Sequence, residues 1–89
     1  MDMVKTWTVR IDIGEHEGHT RAVARLNTTD TDQTVGVGFA RLNPTDRDVP
    51  AIGDEIAVAR ALSELSHRLL HVASEDVEQI SGEPASLSM

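Results

Sequence analysis

The chain reads as an α+β domain of order β-β-β-α: a three-stranded antiparallel sheet followed by a long, kinked or split C-terminal helix. Three observations predict this. Apolar residues alternate with period two over 5–13 and, less cleanly, over 20–26 and 34–42. Clusters of Gly, Asn, Asp and Thr separate those runs. From residue 54 the apolar period changes to 3.6. At 89 residues the chain is one domain, 1–89, with the sheet over 5–42, a loop over 43–53, a helical segment over 54–81 and a tail or short strand over 82–89.

In the first strand Trp7, Val9, Ile11 and Ile13 share one face, with Thr6, Thr8, Arg10 and Asp12 on the other. Gly14 and Gly18 bracket a polar turn. In the second strand Ala22, Ala24 and Leu26 face inward, because the opposite choice would bury Arg21 and Arg25 without partners. This register sets Trp7 opposite Leu26, Val9 opposite Ala24 and Ile11 opposite Ala22. In the third strand Val35, Val37 and Phe39 are expected on the same inner face, large residues against small ones. Gly36, Gly38 and Ala40 then lie on the reverse face, where two strand glycines mark a bulge or the close approach of another backbone.

Pro44 and Pro50 interrupt the loop over 43–53, which is longer than a simple connection needs. Asp54 is the expected helix cap. The helix stripe centres on Ala59, Leu62, Ser66, Leu69 and Ala73, flanked by Val58, Leu65, Leu70 and Val72. Arg60, Glu64, His67, Arg68, His71 and Glu75 take the opposite side, with Arg60–Glu64 and His71–Glu75 pairs. Ser74 is the expected cap of a second, short helix, ended by Gly82 and Pro84. This stripe is wider than one small sheet covers, and both sheet edges are open. A homodimer is therefore expected.

Hydrophobic residues at 39% and charged residues at 26% exclude a disordered tail. No run is long enough to span a membrane, no secretory signal is expected, and zero cysteines exclude disulfides, so a cytoplasmic protein is the expectation. A net charge of −7 disfavours DNA as the main ligand.

Few motifs carry chemistry. Glu15-His16-Glu17-Gly18-His19 gathers potential metal ligands, but in a turn that fixes no geometry. His67 and His71 stand at i, i+4, yet Arg68 occupies the place where a helical zinc motif needs Glu. Gly36-Val37-Gly38 lacks the third glycine and the following helix of a dinucleotide loop. The serines have no elbow motif or ordered base, and Asp30 and Asp32 lie in an exposed turn. No enzyme activity, cofactor or resident metal is expected. The outer sheet face is the candidate site: Arg10, Arg21, Arg25 and Arg41, joined by Arg47 from the loop, form a local basic patch for phosphate, RNA or a partner protein. Its ordinary alternative is a solvated face with an Asp12–Arg21 pair. With Trp7 and Phe39 both placed inside, no base-stacking platform is expected.

The run Val35-Gly36-Val37-Gly38-Phe39-Ala40-Arg41-Leu42-Asn43-Pro44-Thr45-Asp46-Arg47, with Val49-Pro50-Ala51-Ile52-Gly53-Asp54-Glu55 and Ala59-Arg60-Ala61-Leu62-Ser63-Glu64-Leu65, resembles a family of small actinobacterial proteins of unassigned function. Trp7-Thr8-Val9 and Glu15-His16-Glu17-Gly18-His19-Thr20 extend the resemblance over nearly the whole chain. The family is associated with dormancy and hypoxic stress. It implies a β-β-β-α dimer similar in shape to ribosome hibernation-promoting factors, and assigns no catalytic residues. Three functions follow as expectations: a stress-associated, ribosome-binding, hibernation-like dimer; a module binding another stress protein; or a small-ligand or metal sensor using His16, His19, His67 or His71.

Overall fold

The structure, a computed structural model, describes residues 3–28, 33–43, 49–85 and 87. It contains β1 (Thr8–His16), β2 (His19–Asn27), β3 (Thr34–Arg41) and α1 (Pro50–Ser81), in that order. The sheet is antiparallel with order β1-β2-β3, so β1 and β3 are its edges. The β-β-β-α expectation holds.

A two-residue turn joins β1 to β2. Glu17 and Gly18 both have positive φ, 50° and 77°. Paired positive φ values give a turn whose twist matches the flanking strands, and they bring His16 directly opposite His19. From there the register runs Ile13 opposite Ala22, Ile11 opposite Ala24 and Val9 opposite Leu26. The faces of β1 and β2 agree with the sequence reading, but the pairing is shifted by two residues. The tight turn sets the register, because it leaves only two residues outside the ladder.

β3 differs more. Ala22 pairs with Gly38, Ala24 with Gly36 and Thr20 with Ala40. Gly36, Gly38 and Ala40 are buried on the helix side, and Val35, Val37 and Phe39 therefore stand on the outer face. This reverses the expected orientation of β3, and the cause is the helix. A Cβ added at Gly36 would overlap the Ala61 carbonyl and Leu65 amide and lie 2.8 Å from Leu65 Cα. One added at Gly38 would overlap the Ala57 carbonyl and Ala61 amide and lie 2.8 Å from the Arg60 carbonyl carbon. Helix backbone rests directly on strand backbone, so only glycine fits.

The buried residues match this approach. Ala22, Ala24, Leu26, Ala40, Ala57, Ala61 and Leu65 form the core cluster, with Ile11, Val58 and Leu69 packed against it. Ala57, Ala61 and Leu65 form the row of α1 that meets the sheet. Of the predicted stripe centre, Ala59 and Leu62 are exposed, while Leu69 packs against the core together with the predicted flanking residue Val58, and flanking Leu65 lies in it. On the β3 side Arg60 reaches around the edge and its Nη1 donates to the Phe39 carbonyl at 2.7 Å. Glu64 pairs with Arg68 at 2.9 Å rather than with Arg60. His71 and Glu75 pair at 3.0 Å as expected.

The helix begins four residues before Asp54. Pro50 supplies the preset φ of a first helical position, and Val49 is the N-cap without a side-chain hydrogen bond. α1 continues unbroken to Ser81, about 48 Å at 1.5 Å per residue. No second helix starts at Ser74. Its hydroxyl donates to the Leu70 carbonyl at 3.0 Å and accepts the Leu87 amide at 3.1 Å, so it anchors the tail. The Ala85 amide donates to Glu78 Oε1 at 2.9 Å. Ala85 and Leu87 form no strand. Gly82, with φ 71°, ends the helix in the left-handed conformation.

Gly38→Ala is expected to cost about 3 kcal/mol, the upper end of overpacking penalties, because the new methyl meets backbone rather than a movable side chain. Chemical denaturation measures this. A cost below about 1 kcal/mol would show that α1 can lift off β3 without loss.

Candidate functional site

Rows of outward side chains follow from the register. β1 contributes Arg10, Asp12 and His16; β2 contributes His19, Arg21, Val23 and Arg25; β3 contributes Val35, Val37, Phe39 and Arg41. Four arginines thus stand on one face against one aspartate, and the structure brings together four of the five arginines predicted for the site. Arg47 lies outside the described residues.

Asp12 is the hinge of the local electrostatics. Its two carboxylate oxygens accept from Arg10 Nε at 3.3 Å and from Arg25 Nη1 at 3.0 Å. The expected Asp12–Arg21 pair is absent, because the two-residue register shift puts Arg25 within reach and moves Arg21 opposite Gly14. Arg21 and Arg41 have no ion pair among the described residues. Exposed pairs such as Arg10–Asp12 contribute about 0–1 kcal/mol to stability, so their effect is mainly on the charge pattern.

An apolar strip crosses this charged face. Val23 is 5% exposed, Val35 and Val37 are partly buried beside it, and Phe39 is 60% exposed. Asp12, His16, His19, Arg21, Val23, Arg25 and Phe39 border a shallow concavity of about 630 Å³. Sequence reasoning placed Phe39 in the core and so missed it as a surface residue. The signal that locates it is the glycine pair at 36 and 38: the face that must admit the helix backbone is the glycine face.

Charge is divided between the two layers. α1 carries Asp54, Glu55, Glu64, Glu75, Asp76 and Glu78 against Arg60 and Arg68. The outer sheet face carries the opposite excess. The net charge of −7 therefore does not describe the surface an approaching anion meets.

The inner side of β1 is also uncovered. Arg60 marks the β3 side of α1, so the opposite flank, Val58, Leu62 and Leu69, lies toward β1. Beyond it Val9 and Ile13 are exposed, and Trp7 just before the strand is 53% exposed. A smaller cleft of about 240 Å³ lies at the start of α1, bordered by Glu15, Thr20, Leu42, Ile52 and Ile56. Asn43 and Val49 also border it, and residues 44–48 between them lie outside the described residues.

The candidate metal positions come together at most in pairs, His16 opposite His19 and His67 one turn from His71, with no third ligand among the described residues. His16 pairs with Glu17 at 3.8 Å, His67 Nδ1 lies 2.8 Å from the Ser63 carbonyl, and His71 holds Glu75. Among the described residues no group of three or more His, Asp or Glu side chains could hold a metal ion. No helix there is long and apolar enough to cross a membrane.

Residues 5–86 match the Rv2632c-like family model. The chain belongs to that family. It is 55% identical over 85 residues to the uncharacterized protein Mb1767 of Mycobacterium bovis, covering 96% of this chain and 89% of that protein. It is 46% identical over 82 residues to the uncharacterized protein Rv2632c of Mycobacterium tuberculosis, covering 92% and 87% respectively. The crystal structure of Rv2632c superposes with a TM-score of 0.83 at 46% identity, over 93% of this chain and 98% of that one. The family and the three-strand, one-helix fold are thereby established. These relatives carry no assigned activity.

Replacing Asp12 by Asn releases Arg10 and Arg25 together. Stability is expected to change by less than about 1 kcal/mol, while retention on a heparin column rises. Unchanged retention would mean that the two arginines are not part of one anion-accessible surface.

Proposed function

We propose that the protein works by binding rather than catalysis, as a homodimeric, ribosome-associated factor of the hibernation-promoting kind that acts in stress or dormancy. One observation carries this reading: Arg10, Arg21, Arg25 and Arg41 occupy one exposed sheet face, with Arg21 and Arg41 unpaired among the described residues. Such a face suits the phosphates of ribosomal RNA, and the acidic helix turns the other way, so like charges are kept from the contact. The resemblance of the segment around Val35–Leu65 to a dormancy-associated family supports the setting. The ribosome is the partner, and no cofactor is needed.

The dimer has its own support. Trp7, Val9 and Ile13, in or just before the edge strand β1, are exposed, as is Leu62 of α1, and together they would make an apolar shelf away from the β3 edge. Covering such a shelf with its copy would bury apolar area on both chains at about 25 cal/mol per Å². The same shelf is what favours the second reading, docking on another stress protein.

Sedimentation through sucrose with purified ribosomes tests the main reading. Co-migration is expected at low salt, with steep loss as salt rises, and replacing Arg10, Arg21 and Arg25 together by Ala abolishes it. A wild-type protein that stays at the top of the gradient at low salt overturns the ribosome reading.

Light scattering tests the dimer. The mass of two chains is expected for the wild type at micromolar concentration, and of one chain for Ile13→Glu. A monomeric wild type sinks the shelf as a self-interface.

A further inference from the structure

We infer that the outer sheet face takes single-stranded RNA, with Phe39 as the surface on which one unpaired base stacks. The inference rests on the ribosomal reading above and specifies what part of an RNA that face would hold.

Phe39 is the observation that requires explanation. Burial favours a phenylalanine by about 1.5–3 kcal/mol, yet this one is 60% exposed within β3. Its carbonyl is held by Arg60 at 2.7 Å, and its side chain is directed away from α1 because its neighbours Gly38 and Ala40 take the inner row. Both restraints act on the backbone, so the ring is presented on a fixed support with few ways to turn inward.

The neighbours of the ring are cationic. Arg21 is directly opposite Phe39 across the β2–β3 ladder. Arg41 is two residues along the same strand, about 7 Å away at the strand rise, and His19 is opposite Arg41. A base lying flat on the ring would place its flanking phosphates within the span of these side chains. Stacking of bases on aromatic rings, combined with a cationic track for the backbone, is the general design of single-strand binding surfaces. The shallow concavity beside Phe39, lined by Arg21, Arg25, His19 and Val23, gives the strand a path across the sheet.

Strand form is selected by the same geometry. In a duplex the base faces are occupied by their neighbours, so an aromatic ring projecting from a sheet meets only sugar and phosphate. The four arginines would serve duplex and single strand alike; Phe39 serves only an unpaired base. An acidic peptide could use the arginines but would gain nothing specific from the aromatic face.

The test is fluorescence anisotropy with a labelled, unstructured twelve-nucleotide RNA and with the same strand annealed to its complement. Two variants accompany the wild type. Phe39→Leu keeps an apolar side chain of similar size and removes the ring. Arg21→Gln removes one cation. The wild type is expected to bind the single strand at least about ten-fold more tightly than the duplex. Phe39→Leu is expected to weaken single-strand binding about ten-fold, with its salt dependence unchanged and with duplex binding unaffected. Arg21→Gln is expected to weaken both and to reduce the slope of log K against log salt by about one. Melting curves of both variants check that the fold is intact.

Equal affinity for single strand and duplex, with Phe39→Leu indistinguishable from wild type while ribosomes still co-sediment, overturns the stacking inference and leaves the basic face standing. Loss of both RNA forms and of ribosome co-sedimentation in the wild type overturns the inference together with the ribosomal reading. A Phe39→Leu protein that changes from two-chain to one-chain mass identifies the face as a self-contact and overturns the inference as well.

Discussion

The contact between the backbone of α1 and the glycines of β3 governs the rest of the molecule. Gly36 and Gly38 admit Ala57, Ala61 and Leu65 to a distance that no Cβ would allow. Three consequences follow. The inner face must be made of small residues, which is why Ala22, Ala24, Ala40, Ala57 and Ala61 dominate the core and, among the described residues, no large side chain is fully buried. The helix must sit over β3 and β2, leaving the inner side of β1 uncovered. The side chains that alternate with the glycines must go outward, which carries Val35, Val37 and Phe39 to the opposite surface. A packing rule inside the sheet therefore composes the surface outside it.

How much of this the amino-acid sequence discloses depends on which physical signal is strongest at each place. The strands of β1 and β2 are legible because burying Arg21 and Arg25 would be costly, and that cost selects a face. In β3 the competing signals point in opposite directions. Val35, Val37 and Phe39 ask for burial by their hydrophobicity, whereas Gly36 and Gly38 ask for a neighbouring backbone. Hydrophobicity alone selects the wrong face, because it weighs transfer from water and ignores the room available. The glycines win because steric overlap with backbone cannot be relieved by a rotamer change. Two further departures have the same local origin. Pro50 starts α1 earlier than Asp54 could, and Ser74 stays inside the helix because its hydroxyl finds the Leu70 carbonyl and the tail amide of Leu87.

The candidate site was legible in part for a related reason. Arginines are recognisable as surface residues from any register that keeps them out of the core, so Arg10, Arg21 and Arg25 could be grouped before their exact pairing was known, whereas Arg41, in step with Val35, Val37 and Phe39, joins them only through the reversal of β3. Their partners could not, since a two-residue slip changes which arginine reaches Asp12 while leaving every side chain on its face. Phe39 was hidden by the reversal of β3, and with it the apolar strip that crosses the basic face. Arg47 belongs to the segment outside the described residues.

Net charge and local charge must be kept apart to understand how an acidic chain can present a basic sheet face. At physiological ionic strength the screening length is about 8 Å, while the two layers of this domain place the acidic residues of α1 on the far side of the sheet from the arginines. An anion within reach of Arg21 and Arg41 thus meets the near charges almost undiminished and the far ones heavily screened. The overall −7 acts instead at longer range and at low salt, where it slows approach from bulk solution. This division makes a prediction about order rather than strength: recognition would depend on short-range contacts made after encounter, so an exposed aromatic ring among the arginines becomes more consequential than it would be on a strongly basic protein. On the proposed reading, selectivity would reside in the few side chains that β3 turns outward, and those are set by where the helix is allowed to lie.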